Sequence, residues 1–163
     1  MHGAVARAQQ LLNLSNRQDR DRAIDAAAMK HMTQKLPQFD AATIGIAGKV
    51  ALITGGGRNI GRAVALTLAG AGALPVVLYH EDKKTAQSVC DEITAAGGRA
   101  GLVQADIGDI AQCQAAVKKV AAEFGDIDIL INNAAIRPHS KISQITPAEW
   151  DRVMAVNLRA PFF

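Results

Sequence analysis

The stretch "KVALITGGGRNIGRAVALTLAGAG", Lys49 to Gly72, decides how this chain folds. Its first part, "KVALIT" (49–54), is a short apolar run without polar alternation, the pattern of a strand buried on both faces. Its last part, "IGRAVALTLAGAG" (60–72), has helical spacing and ends in Gly. Between them lies a glycine-rich turn, "TGGGRNIG" (54–61). Such a turn between a buried strand and a helix suits a phosphate group. Glycines let the backbone approach the anion, and the following helix offers free N–H groups and the positive end of its dipole. A plain structural strand-to-helix turn is the competing reading of the same residues.

The alternation continues outward from this unit. "PVVLY" (75–79) is a second buried strand, and "KKTAQSVCDEITAAGG" (83–98) a helix stopped by two glycines. "AGLVQA" (100–105) is a third strand, "DIAQCQAAVKKVAAEFG" (109–125) a third helix closed by Gly, and "IDILIN" (127–132) a fourth strand. "TPAEWDRVMAVNLRAPFF" (146–163) opens a fourth helix, with Thr146 as N-cap, Pro147 at the first helical position and Glu149 completing a capping box. The series βαβαβαβα predicts an α/β fold with a parallel sheet and helices on both faces. Right-handed crossovers order the strands 3-2-1-4, the first half of a Rossmann-type doubly wound sheet, here truncated before the fifth strand. Trp150 is expected to cover the helix–sheet core.

Residues 1–45 read differently from the incomplete dinucleotide-binding domain expected over 46–163. The arm is rich in Ala, Gln and Arg with a thin apolar stripe at Leu11, Leu12, Leu14 and Ile24, which suits a marginal helix or a disordered segment. Asp19, Asp21 and Asp25 argue against a transit peptide. Met29 and Met32 precede the globular pattern, so upstream sequence read through in frame is an open reading for part of the arm. Residues 1–44 carry six basic and four acidic side chains, residues 45–163 twelve and eleven. The body is therefore near neutral although the whole chain has a pI of about 9.1. With no basic patch interleaved with aromatics, nucleic acid is not an expected partner. No apolar run approaches the ~20 residues of a membrane helix. Cys90 and Cys113 lack framework or metal-ligand spacing. They read as small core residues of a protein from a reducing, cytoplasmic compartment, with no metal site.

The motifs resemble those of the short-chain dehydrogenases/reductases. "TGGGRNIG" is similar to the family's Thr-Gly-x-x-x-Gly-x-Gly, with Asn59 where the second Gly usually stands; Asn tolerates positive φ better than other non-Gly residues. "ADIGD" supplies Asp106 after the third strand, where the family's Asp bonds the adenine amino group. "NNAAIRP" resembles the family's Asn-Asn-Ala-Gly, with Ala135 in place of Gly. "VNL" supplies Asn157, similar to the Asn of the catalytic Asn-Ser-Tyr-Lys tetrad. Order and spacing also resemble the 3-oxoacyl-carrier-protein reductase branch. The resemblance implies an NAD(P)-dependent oxidoreductase acting on a small carbonyl compound or alcohol, homo-oligomeric in full-length form. It implies cofactor-binding roles for Thr54, Gly55, Arg58, Asn59, Ile60, Gly61, Tyr79, His80, Asp106, Ile107, Asn133, Ala134 and Ala135, and a catalytic role for Asn157.

An NAD site calls for an acid at the end of the second strand, to accept from the ribose 2′-OH. Here that position is Tyr79, followed by His80. Arg58 stands where NADP-using members of the family often carry a basic residue for the 2′-phosphate. Glu81 and Asp82 would repel a phosphate. NADP is the expected cofactor and NAD the alternative. His139, Ser140 and Ser143 lie on the loop after the fourth strand, where no partner for a nucleophilic triad is evident.

In the resembled family a Tyr acts as general acid, helped by a Lys four residues on. This sequence has one Tyr, Tyr79, at the adenosine end of the site; its spacing to Lys83 is Tyr-x-x-x-Lys, but it falls at the end of the second strand and not on a helix after a fifth. The expectation is the front half of a short-chain reductase, inactive alone. A non-catalytic nucleotide-binding or dimer-partner module is the alternative.

Overall fold

The computed structural model describes residues 45–138 and 140–163. The expected arm therefore lies outside the described residues up to Ile44, as does His139. Four strands form one parallel sheet: β1 (Val50–Thr54), β2 (Leu74–Tyr79), β3 (Gly101–Gln104) and β4 (Ile127–Ile131), in the order β3-β2-β1-β4. This is the Rossmann-like α/β arrangement expected from the alternation of elements. β1 and β2 are central and every residue of both is buried, which is why neither strand shows polar alternation. β4, at one edge, alternates half-buried and exposed residues.

Helices α1 (Asn59–Gly70), α2 (Lys83–Ala95), α3 (Ile110–Phe124) and α4 (Pro147–Met154) connect and cover the strands. On one face Ile53, Val77 and Tyr79 pack with Ala65 of α1 and Ala86, Val89 and Ile93 of α2. On the other, Leu52, Val76, Leu78 and Val103 pack with Ala116 and Val120 of α3 and with Val156. β1 and β2 run in register from Val50 opposite Leu74 to Thr54 opposite Leu78, so their carboxyl ends reach one common rim. The β1–β4 register breaks after Val50. There the Asp128 carboxylate accepts from the Val50 N–H at 2.9 Å and from Lys49 Nζ at 2.6 Å.

Two expectations for the last helix are corrected. Trp150 does not cover the core and is 59% exposed. The residues buried in this part of the chain are Ala155 and Val156, and at 100° per residue Trp150 falls on a different side of the helix. The helix is also not continuous. After Met154 a π-helical turn, Ala155–Arg159, widens the backbone before a last turn, Ala160–Phe162, and the Ala160 N–H reaches back five residues to the Ala155 carbonyl. Pro161 accounts for this. It has no N–H for the carbonyl of Asn157, and its ring crowds that carbonyl.

Candidate functional site

A cleft of about 520 Å³ opens at the carboxyl rim of the sheet. Gly55, Arg58, Asn59 and Ile60 line it from the turn after β1, His80, Glu81 and Asp82 after β2, and Asp106 after β3. Asn133, Ala134, Ala135 and Ile136 close it from the segment after β4, with Arg152 and Val156 from α4 and the π turn. In an open doubly wound sheet the ligand crevice lies outside the strand carboxyl ends, where the strand order reverses. Here that place is between β1 and β4.

The turn after β1 is fixed from behind. Thr54 is buried, and its hydroxyl accepts the N–H groups of Asn133 at 3.1 Å and Ala134 at 3.0 Å. In return Asn133 Nδ2 donates to the carbonyls of Thr54 at 3.0 Å and Gly55 at 3.1 Å. Thr54 thus holds the turn while its hydroxyl faces β4, and it does not line the cleft. Gly61, the first buried residue of α1, sits so close to this knot that a Cβ would overlap the Gly55 carbonyl oxygen and lie 2.6 Å from Asn133 Nδ2. Asn59 adopts φ 48°, the conformation a second glycine would have taken.

The N-terminus of α1 differs from the others. Asp82 caps α2, Asp109 caps α3 and Thr146 caps α4, each accepting backbone N–H groups. Arg58 stands at the N-cap of α1 without a side-chain cap bond, and no acid lies in the first turn. The first-turn N–H groups therefore remain for an external acceptor beside the cleft. This donor set, with Arg58 adjacent, fits a phosphate anion.

The end of β2 corrects part of the sequence reading. The Tyr79 side chain is buried in the core between the sheet and helices α1 and α2, with its hydroxyl donating to Gln104 Oε1 at 3.4 Å. It does not line the cleft, because the strand's alternation turns it to the helix-covered face. Ile107 is likewise buried, in the core on the opposite face. Asp82 lines the cleft with its carboxylate engaged in capping its own helix. Its carboxylate accepts the Thr85 hydroxyl at 2.6 Å and the Thr85 N–H at 3.0 Å, bonds that hold it below the ordinary carboxylate range.

Asp106 accepts Arg152 Nη2 at 2.9 Å and the Gly108 N–H at 2.9 Å on one oxygen. The Arg152 hydrogen bond is the main cause of its lowered pKa, opposed by burial and helped by Gly108 and His80. Arg152 was not among the candidates read from sequence. Its one signal is spacing: it lies four residues before Val156, on the helix row that faces the sheet.

Comparison with known proteins matches the chain to a family. The short chain dehydrogenase family model matches residues 49–163. The chain belongs to the short-chain dehydrogenase family. It is 41% identical over 116 residues to a probable tetrahydroxynaphthalene reductase of Zymoseptoria tritici, covering 71% of this chain and 43% of that protein. Among solved structures, a dehydrogenase/reductase from Sinorhizobium meliloti 1021 is 42% identical with a TM-score of 0.71, over 75% of this chain and 48% of that one. A short chain dehydrogenase from Burkholderia cenocepacia J2315 in complex with NADP is 41% identical with a TM-score of 0.69, over 72% and 48%. The chain thus spans less than half the length of these relatives.

Within this short-chain dehydrogenase chain, Asn157 occupies the π turn. Its Oδ1 accepts the Ile136 N–H at 2.9 Å, and its Nδ2 donates to the Ile136 carbonyl at 2.8 Å. Both polar ends of the side chain are engaged in holding the segment after β4, and Asn157 is not among the residues lining the cleft. Ser140 donates to Glu149 Oε1 at 2.7 Å, which extends the cap of α4 and leaves that hydroxyl a structural role.

Proposed function

We propose that this chain forms the dinucleotide-binding part of an NADP-linked short-chain reductase, which interconverts a small carbonyl compound and an alcohol. The observation that carries the reading is the uncapped N-terminus of α1, which opens behind the glycine turn onto the cleft, beside Arg58. The first-turn N–H groups of α1 would hold the pyrophosphate. Arg58 would meet the 2′-phosphate. Asp106, kept ionised by Arg152 and Gly108, would accept from the adenine amino group. Asn157 would serve the site by fixing Ile136 at its nicotinamide side. The cofactor, when bound, supplies the hydride. Two features support NADP over NAD. The acid position at the end of β2 holds Tyr79, whose side chain is turned away, and the Asp82 carboxylate is taken up in capping α2. The B. cenocepacia relative was solved with NADP.

We further propose that the 163 residues alone do not turn over substrate. Their single Tyr, Tyr79, four residues before Lys83, is buried in the core away from the cleft, and a positioned acid contributes roughly 10²–10⁴-fold. The whole protein is proposed to be a cytoplasmic homo-oligomer in which Cys90 and Cys113 stay as thiols. Calorimetric titration with NADPH and NADH tests the cofactor reading. NADPH should bind more tightly, and Arg58→Ala should weaken it by about 1.5 kcal/mol, the low end for a bond to a charged group, while barely changing NADH binding. Equal losses for both nucleotides would reduce Arg58 to a turn residue, and failure of both to bind would overturn the nucleotide reading.

A further inference from the structure

The two oxygens of the Asp106 carboxylate stand in different surroundings on the cleft wall. Oδ1 accepts both Arg152 Nη2 and the Gly108 N–H, each at 2.9 Å. Oδ2 has no hydrogen bond among the described residues, and His80 Nε2 is 3.8 Å from it, too far for one. The main chain of this turn is fixed separately. Gln112 Oε1 accepts the Asp106 N–H at 3.0 Å, and Arg159 Nη2 donates to the Gly108 carbonyl at 3.2 Å. What remains to be set is the rotation of the carboxylate, and Arg152 sets it. Gly108 shows how closely the guanidinium fits. This glycine is not one of those with positive φ, so its backbone would accept another residue. A Cβ there would nonetheless overlap Arg152 Nη1 and lie 3.2 Å from Asp106 Oδ1. The glycine is required by the guanidinium and not by the turn.

We infer that Arg152 is a positioning residue for recognition of the purine base, and that the missing side chain at Gly108 is what admits it. The inference rests on the nucleotide reading of the cleft. By holding Oδ1, Arg152 leaves Oδ2 as the acceptor on the side of His80, which lines the cleft with Asp106 and Arg152 themselves. An ionised carboxylate accepts and cannot donate. It therefore suits a purine with an amino group at position 6 and repels one with a carbonyl oxygen there. Arg152 acts through Asp106 and has no need to touch the base. Without it, Oδ1 keeps only the Gly108 N–H, and the carboxylate gains rotational freedom that a bound base must remove again. Selectivity at the base is thus set from α4, a helix that carries none of the turn that faces the phosphates.

The test titrates the chain calorimetrically with NADP and with its hypoxanthine analogue, in the unmutated protein, Arg152→Ala, Arg152→Lys, Gly108→Ala and the double variant Gly108→Ala/Arg152→Ala. The unmutated chain should prefer NADP by about ten-fold, the factor for one hydrogen bond to a charged group. Arg152→Ala should cut that ratio to about three-fold, the factor for an ordinary hydrogen bond. Arg152→Lys, which keeps a cation against Oδ1, should retain most of it. Gly108→Ala should reproduce Arg152→Ala and add little in the double variant, because no guanidinium is left to displace. A role limited to holding α4 in place would weaken both nucleotides equally and leave the ratio where it was. An unchanged ratio in Arg152→Ala, or equal affinity of the unmutated chain for the two nucleotides, therefore overturns the inference and leaves the nucleotide site standing. A ratio unchanged in Gly108→Ala alone overturns the part given to that glycine. Failure of the unmutated chain to bind either nucleotide overturns the nucleotide reading and this inference with it.

Discussion

Asn59 carries φ 48° at the head of α1, a conformation that costs most L-residues about 1–2 kcal/mol and glycine almost nothing. We expect Asn59→Gly to leave stability unchanged or slightly raised, and Asn59→Val to lower it by about 1–2 kcal/mol, both read by urea unfolding. This requirement was legible in the sequence because a glycine pattern states what the backbone needs. The pairing of Asp106 with Arg152 was not, since the partners lie 46 residues apart and only tertiary packing brings them together. That pair gives a pH-dependent prediction. The Asp106 pKa is depressed in the folded chain, first of all by the Arg152 hydrogen bond. Its contribution is therefore fully present above the ordinary carboxylate range, about pH 4, and is lost as pH falls through the lower folded value. Arg152→Ala should cost roughly 0.5–1 kcal/mol at pH 7, discounted because the Arg152 side chain is 41% exposed, and progressively less on acidification below about pH 4. A cost that is the same at pH 7 and pH 2.5 would assign the loss to packing of the Arg152 stem instead.

Among the helices, α1 gives up a cap that α2, α3 and α4 possess. Replacing Ser, Thr, Asn or Asp at an N-cap by Ala costs about 1 kcal/mol, so the missing cap leaves a gain within reach. Arg58 already has the extended backbone of an N-cap, φ −152° and ψ 168°. Arg58→Asp should therefore stabilise the folded chain by about 0.5–1 kcal/mol in urea unfolding. The same change should abolish binding of adenosine 2′,5′-bisphosphate, because a carboxylate would take the donors a phosphate needs. Opposed movements of stability and affinity are the signature of donors reserved for a ligand. Loss of stability with affinity intact would mean that the turn is structural. Thr146→Ala, in the capped helix α4, should instead lose about 1 kcal/mol with no effect on nucleotide affinity. The capping box of α4 was readable from Thr146, Pro147 and Glu149. The π turn that interrupts the helix was not, because Ala155–Arg159 has ordinary helical propensity and the distortion is imposed from Pro161, beyond it.

For the whole molecule, the parallel sheet followed from the alternation of elements, and its buried strands from their composition, because buried parallel strands such as β1 and β2 have no face to spare for polar residues. Side-chain direction at the strand ends was harder. Tyr79 and His80 are neighbours in sequence, yet one enters the core and the other the cleft, a choice set by where β2 ends. The same sheet explains how the chain should behave in solution. β4 lies at the sheet edge, and Leu130 on it is 53% exposed. Ile142, Trp150, Leu158, Phe162 and Phe163 are exposed as well. An edge strand with open N–H and C=O groups templates pairing with another chain, and large exposed apolar side chains add a hydrophobic drive to it. We therefore expect the 163-residue chain to self-associate in sedimentation velocity, with a concentration-dependent weight-average mass above that of the 17.1 kDa monomer. Leu130→Lys, which places a charge on the edge, should lower that mass while leaving the far-UV circular dichroism unchanged, and Trp150→Lys should lower it further if α4 takes part. A single 17.1 kDa species across the concentration range for the unmutated chain would show that neither the edge nor the apolar side chains recruit another copy.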